Sequence, residues 1–165
     1  MENVKSKISI FGSSGFIGQN LLQKIPESNG VSIRANNWDE NVKDSAIWIN
    51  LIGKAHDHKR MATKEDFYFA NLELAKQIFN SFLESDADLL IHLSSLAAVE
   101  EFEAKQVLRE EDVCNPQSWY GCSKREAENW LLRQNIPVGK KVVILRPPMV
   151  HGAGDKGNLG LLYKM

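Results

Sequence analysis

The sequence predicts an α/β fold, a doubly wound parallel sheet with helices on both faces, and three observations carry that expectation. Short apolar segments alternate with longer stretches of helical periodicity along most of the chain. The first apolar segment runs straight into a glycine-punctuated turn and then an amphipathic stretch. A length of 165 residues, 43% of them hydrophobic and 25% charged, suits one domain with a substantial core.

Taken in order, Lys7-Ile-Ser-Ile-Phe11 reads as a strand covering 7 to 11, and Phe16, Ile17, Leu21, Leu22 and Ile25 mark a helix over 16 to 25. Strands are expected at 31 to 34 and at 46 to 52. A helix over 64 to 84 carries Phe67, Ala70, Leu74, Ile78 and Phe82 as an inward stripe that belongs to the core. A strand at 88 to 93, a helix at 118 to 133 and a strand at 141 to 145 complete the alternation. The charged stretch from Glu100 to Asp112 reads as a solvated loop with a short helix. Between Val31 and Ile47 the segment Asn36 to Asp44 is too short for a further helix and strand, so the sheet should be abbreviated after its second strand. No internal repeat or low-complexity linker interrupts the chain.

Two groups of residues carry chemistry. Gly12-Ser13-Ser14-Gly15-Phe16-Ile17-Gly18 follows a strand and opens a helix. In that order, glycines permit a tight turn, close approach of backbone to a pyrophosphate, and close packing of helix on strand, while the helix N-terminus supplies N–H donors and positive potential. The second group is Tyr120 and Lys124, whose spacing puts phenol and ammonium on one helix face. An ammonium beside a phenol favours phenolate and makes Tyr a proton-transfer group. Ser95 falls at the carboxyl end of an expected strand, where open α/β sheets present ligands, and its hydroxyl could donate to a substrate oxygen. Each residue has a plainer reading in isolation: Ser94 and Ser95 as strand-end hydroxyls, Tyr120 as a half-buried helix residue, Asn71 as a cap. Their order along the chain favours the chemical one.

These residues resemble the extended short-chain dehydrogenase/reductase superfamily, in particular its NAD-dependent epimerase/dehydratase members of nucleotide-sugar 4-epimerase and 4-ketoreductase type. The pieces that carry the resemblance are Gly12 to Gly18, Asn50-Leu-Ile-Gly-Lys-Ala-His56, Asn71, Leu93-Ser-Ser95, Tyr120 to Lys124, and Leu145-Arg-Pro-Pro-Met-Val-His-Gly-Ala-Gly154 followed by Lys156-Gly-Asn158. The resemblance implies a Rossmann-like domain with Ser95, Tyr120 and Lys124 as the catalytic set. It also implies NAD(P) bound by residues 12 to 18, by Leu51, Ile52, Gly53, Asn71 and Pro147, and by Tyr120 and Lys124 themselves. His56, Ser95 and Asn158 are the expected substrate contacts. The expected reaction is epimerisation or 4-keto reduction of a nucleotide-diphosphate sugar in surface-polysaccharide synthesis. Leu96 and Ala97 stand where dehydratases of the superfamily carry an acidic pair, which disfavours elimination chemistry. Pairing of the helices over 64 to 84 and 118 to 133 would make a homodimer, as family members commonly do.

Two departures stand out. No acidic residue marks the end of the second strand; Arg34 stands near that place, with Asp39 a late substitute, and an Arg favours a 2′-phosphate, so the expectation leans to NADP. The chain ends at Met165, whereas family members continue for roughly as long again, so residues 1 to 165 are expected to be the NAD(P)-binding portion with the substrate domain largely absent. The competing reading is a non-catalytic dinucleotide-binding module.

Other readings are set aside. His56-Asp57-His58 lacks the spacing and the second cluster that a metal site needs, and no metal is expected. Cys114 and Cys122 fit reduced thiols better than a redox pair. A net charge of −1 gives no electrostatic reason to expect nucleic acid. The absence of a membrane-length apolar run and of a leader before the first strand leads to an expected cytoplasmic location.

Overall fold

The computed structural model describes residues 8–55, 61–102 and 107–152. Five parallel strands form one sheet in the order β2-β1-β3-β4-β5. The strands are β1 (Ile8–Phe11), β2 (Ser28–Val31), β3 (Ile47–Asn50), β4 (Leu89–Leu93) and β5 (Lys141–Leu145). Helix α1 (Phe16–Lys24) links β1 to β2, α4 (Trp119–Leu132) precedes β5, and the long helical run before β4 comprises α2 (Lys64–Tyr68), a π-helical turn (Phe69–Glu73) and α3 (Leu74–Glu84).

Side chains in register across a parallel sheet share a face. Phe11, Trp48 and Leu90 lie on one face, and Ile78, Phe79, Phe82 and Leu131 of α3 and α4 close over them into the main core. Aromatic rings knit this layer: Phe11 stands 5.1 Å from Trp48, Trp48 is 6.0 Å from Phe82, and Phe79 is 5.3 Å from Trp130. Helix α1 takes the other face, with Leu22 against Gly30 of β2. The expected doubly wound sheet is therefore present, with helices on both of its faces.

The abbreviation after β2 is also present. No strand or α-helix occupies the span from β2 to β3; a single 3-10 turn (Glu40–Val42) does. Trp38 and Val42 fold inward there and fill the space, Trp38 meeting Phe11 edge-on at 5.4 Å. One large indole thus supplies the apolar cover that a further helix would otherwise bring.

Three expectations need correction. The second strand, placed by sequence at 31 to 34, lies at Ser28–Val31, because β1 fixes its partners from Ile8↔Ser28 to Phe11↔Val31. Val31 and Ile33 attract a strand reading by their side chains, yet the ladder is decided by which backbone lies opposite β1. The helix over 64 to 84 is not uniform: the π turn adds a residue, so burial passes from Phe67 and Asn71 to Ala75, Ile78, Phe79 and Phe82. Its start is a capping box in which Thr63 and Asp66 satisfy each other's backbone N–H groups. The short helix expected within Glu100 to Asp112 is not found among the described residues of that stretch; a 3-10 turn lies just upstream, at Leu96–Ala98.

Candidate active site

In this strand order the chain leaves β1 toward β2 on one side and returns to β3 on the other, so a crevice opens above the carboxyl ends of β1 and β3. Gly12 leaves β1 with φ +79° and makes the turn closed by Gly15 N–H donating to Gly12 O at 3.0 Å. A Cβ on Gly12 would stand 2.9 Å from Ile52 N, and one on Gly18 would stand 2.4 Å from Gly12 O. Glycine is therefore required at both places, by the Leu51–Ile52 backbone in one case and by the turn itself in the other. Gly15 is the N-cap of α1, which has no side-chain cap and no acidic residue in its first turn. Free N–H groups, a positive helix end and a surface cleared of side chains fit the phosphates of a dinucleotide.

The loop after β3 forms the opposite wall. Asn50 accepts from Ile52 N at 3.0 Å and donates to Nδ1 of His92 on β4 at 3.1 Å. His92 is buried and therefore neutral; desolvation, helped by the charge of Lys124, lowers its pKa to about 3. Asn71 lies in the π turn rather than at a helix start, wholly buried. Its Oδ1 accepts from Lys54 N at 2.8 Å, while its Nδ2 donates to Lys54 O at 3.1 Å and to Ser123 Oγ at 2.8 Å. One amide thus ties the wall of the crevice to α4.

Tyr120 and Lys124 sit on α4, whose N-cap Ser118 accepts from Gly121 N at 3.0 Å. Lys124 Nζ donates to Leu93 O at 2.8 Å, at the carboxyl end of β4. A Cβ on Gly53 would come within 2.9 Å of the same ammonium, so the β3 loop passes directly over Lys124. Burial lowers the Lys124 pKa to about 8, partly offset by Glu128. Tyr120 is shifted upward: burial leads, a hydrogen bond with Ser95 opposes it, and the charge of Glu101 adds to the rise. Ser95 and Tyr120 are therefore side by side, as the sequence suggested, while the groups that move the phenol are Ser95 and Glu101, and Lys124 is held by Leu93. Ser94, the first residue after β4, is buried.

Three further supports were not legible in the sequence. Glu101 accepts from the backbone N–H of Gln117 at 2.6 Å, from that of Ser118, and from the Ser118 hydroxyl. Glu128 is completely buried between Arg146, which reaches it at 2.9 and 2.8 Å, and Arg125 at 3.0 Å. That pair fastens α4 to the segment leaving β5, where Pro147 O accepts from Leu96 N at 3.0 Å. The Asn50–His92 pair is the third. All join residues far apart in sequence, so periodicity gave no signal beyond the acidic character of the stretch around Glu101. Arg34 is exposed beyond β2. His56 and Asn158 lie outside the described residues.

A glycine cradle at the switch point and a Ser, Tyr, Lys group at its side define a Rossmann-type dinucleotide-binding domain. Residues 8–162 match the profile of the NAD dependent epimerase/dehydratase family, and the chain belongs to that family. A curated relative, the UDP-glucose 4-epimerase of Vibrio cholerae, is 24% identical over 183 residues, covering 96% of this chain and 56% of the relative. Among solved structures, a dTDP-4-dehydrorhamnose reductase from Clostridium acetobutylicum superposes with a TM-score of 0.77 at 23% identity, covering 95% of this chain and 58% of that one. The UDP-glucuronic acid 4-epimerase of Bacillus cereus, solved with NAD, gives 0.72 at 18% identity, covering 88% and 57%. At these identities the structural likenesses establish the fold. The chain spans a little over half the length of the curated relative it matches.

Proposed function

We propose that this domain serves a nucleotide-diphosphate-sugar epimerase or 4-ketoreductase, with Ser95, Tyr120 and Lys124 as its catalytic set. The observation that carries the proposal is convergence: Ser95 meets Tyr120, and Lys124 lies under the Gly53 loop that faces the glycine turn. A nicotinamide bound here supplies hydride exchange with a sugar carbon. Ser95 orients the sugar oxygen, Tyr120 holds or accepts its proton, and Lys124, ammonium at neutral pH, binds ribose hydroxyls beside it. Gly12 to Gly18 hold the phosphates, and Leu51 to Gly53, with Asn71 behind them, and Pro147 line the nicotinamide side. Arg34, exposed beyond the strand that precedes it, favours NADP. His56 and Asn158 complete the proposed substrate contacts, a further substrate-binding portion would complete the pocket, and the product serves cytoplasmic surface-polysaccharide synthesis. Exposed Phe69, Trp119 and Leu132 on the helical run before β4 and on α4 support pairing of two copies through those helices. No helix among the described residues is long and apolar enough to cross a membrane.

Titration with NADH and NADPH, followed by nicotinamide fluorescence, tests the cofactor half, with Gly15→Asp as control. Binding that the substitution abolishes, tighter for NADPH, is the expected result. Binding of neither would remove the enzyme reading for this domain. Cofactor binding without sugar turnover when a substrate-binding portion is supplied would favour the non-catalytic module.

A further inference from the structure

We propose that Glu101 is a positioning residue for Tyr120: it fastens the first turn of α4 to the segment that carries Ser95 and sets a negative charge beside the phenol. The inference rests on the reading of Tyr120 as the proton-transfer group. Glu101 receives its hydrogen bonds from Gln117 N, Ser118 N and the Ser118 hydroxyl, all neutral donors at the start of α4. Ser118 in turn caps Gly121, so the carboxylate holds the residue that holds the turn around Tyr120. Contact is close: a Cβ on Gly121 would stand 2.8 Å from the Glu101 carboxyl carbon and 2.5 Å from Ala97 O, which leaves room only for glycine beside Tyr120. A parallel bridge between Glu100 and Asn115, with Asn115 N donating to Val99 O at 2.7 Å, lashes the same two segments together.

Burial raises the Glu101 carboxyl, and the hydrogen bonds from Ser118 and Gln117 outweigh it and hold its pKa below the usual carboxylate value. Around the phenol stand Ser95 and Glu101 from the segment after β4, and Lys124 one turn further along α4. Helix α2, packed against α4, brings Tyr68 near Cys122 and Glu126. Burial leads in raising the phenol, and the carboxylate of Glu101 adds to it, favouring the protonated form. The site therefore keeps its proton until a positive or donating group arrives, which suits an acid that must be charged with a proton before hydride moves.

Ultraviolet titration of phenolate, with Tyr120→Phe subtracted to isolate Tyr120, tests this. Glu101→Gln should move the Tyr120 midpoint to lower pH, because a like charge is removed. Ser118→Ala, which loosens the cap and leaves the charge, should not lower it. Amide exchange at Gln117, Ser118 and Gly121 should quicken about tenfold or more in Glu101→Ala. An unchanged or raised midpoint in Glu101→Gln, a lowered midpoint in Ser118→Ala, or unchanged exchange in Glu101→Ala would overturn the proposal. Should Glu101→Ala fail to fold, the Gln variant alone decides. None of these readings requires turnover, so NADH binding and sugar chemistry in the unsubstituted protein judge the catalytic proposal separately.

Discussion

The two faces of the sheet across β3, β4 and β5 differ in composition and, among the described residues, end in different states: the face that carries Trp, Asn and His is closed, and the more aliphatic face is not. On one face Trp48, Asn50, Leu90 and His92 are each about 1% exposed beneath α3 and α4. On the other, Ile47, Ile49, Leu89, Ile91 and Leu93 are half-buried, and Val143 and Leu145 are 39% and 46% exposed. Parallel sheets are normally covered on both sides. The closed face holds the fold together and supports the site from beneath, through Asn50, His92 and Lys124. The open face contributes far less to either, although its Ile, Leu and Val residues are the more apolar set.

The sharpest way to break this contrast is truncation on the closed face. Trp48→Ala should lose about 3–5 kcal/mol in denaturant unfolding, since the indole touches Phe11, Trp38 and Phe82 and leaves a cavity among packed rings. A loss no larger than that of Leu145→Ser would erase the distinction. Glu128→Leu should follow closely, losing up to about 3–5 kcal/mol by leaving the Arg146 and Arg125 charges without their shared carboxylate. Part of Arg125 remains in solvent, which tempers the loss, and a double substitution with Arg146→Met should recover much of it.

His92 gives the contrast a pH dependence. Its pKa falls from 6.5 in the unfolded chain to about 3 in the fold, so between those values the unfolded state binds more protons. The stability that neutral His92 contributes is thus present above pH 6.5 and lost as pH falls toward about 3. His92→Gln keeps a polar partner for Asn50 and cannot titrate. Its denaturation midpoint should drop less than that of the unsubstituted protein over this range, and an equal drop would show that His92 is not the group responsible. The smallest effect belongs to the open face: Leu145→Ser should change stability by no more than about 0.5 kcal/mol, because much of the side chain is already in water.

Legibility differed by kind of interaction. The glycine turn, the helices over 64 to 84 and 118 to 133 in outline and most of the aliphatic strands were readable because each depends on neighbours within a few residues. The placement of β2 was missed because the backbone of β1, not the side chains of Val31 and Ile33, chose its ladder. The π turn has no signature in local spacing, and Asn71 within it bonds residues far away, Lys54, 17 residues back, and Ser123, 52 residues on. The same holds for Glu101 and Ser118, and for Glu128 and Arg146, whose pairing no spacing rule anticipates.

Chemical identity and local geometry were settled along the chain: which residues can form a phosphate cradle, where helices begin, and that a Ser, a Tyr and a Lys stand in a usable order. Folding decided the rest. It chose which sheet face is closed, and placed Lys124 against the Leu93 carbonyl and Glu101 beside the phenol. It also buried His92 as a neutral ring whose Nδ1 accepts from Asn50. Burial and charge proximity are properties of distance in space, and a protonation state follows those distances, so only the packed chain could set them.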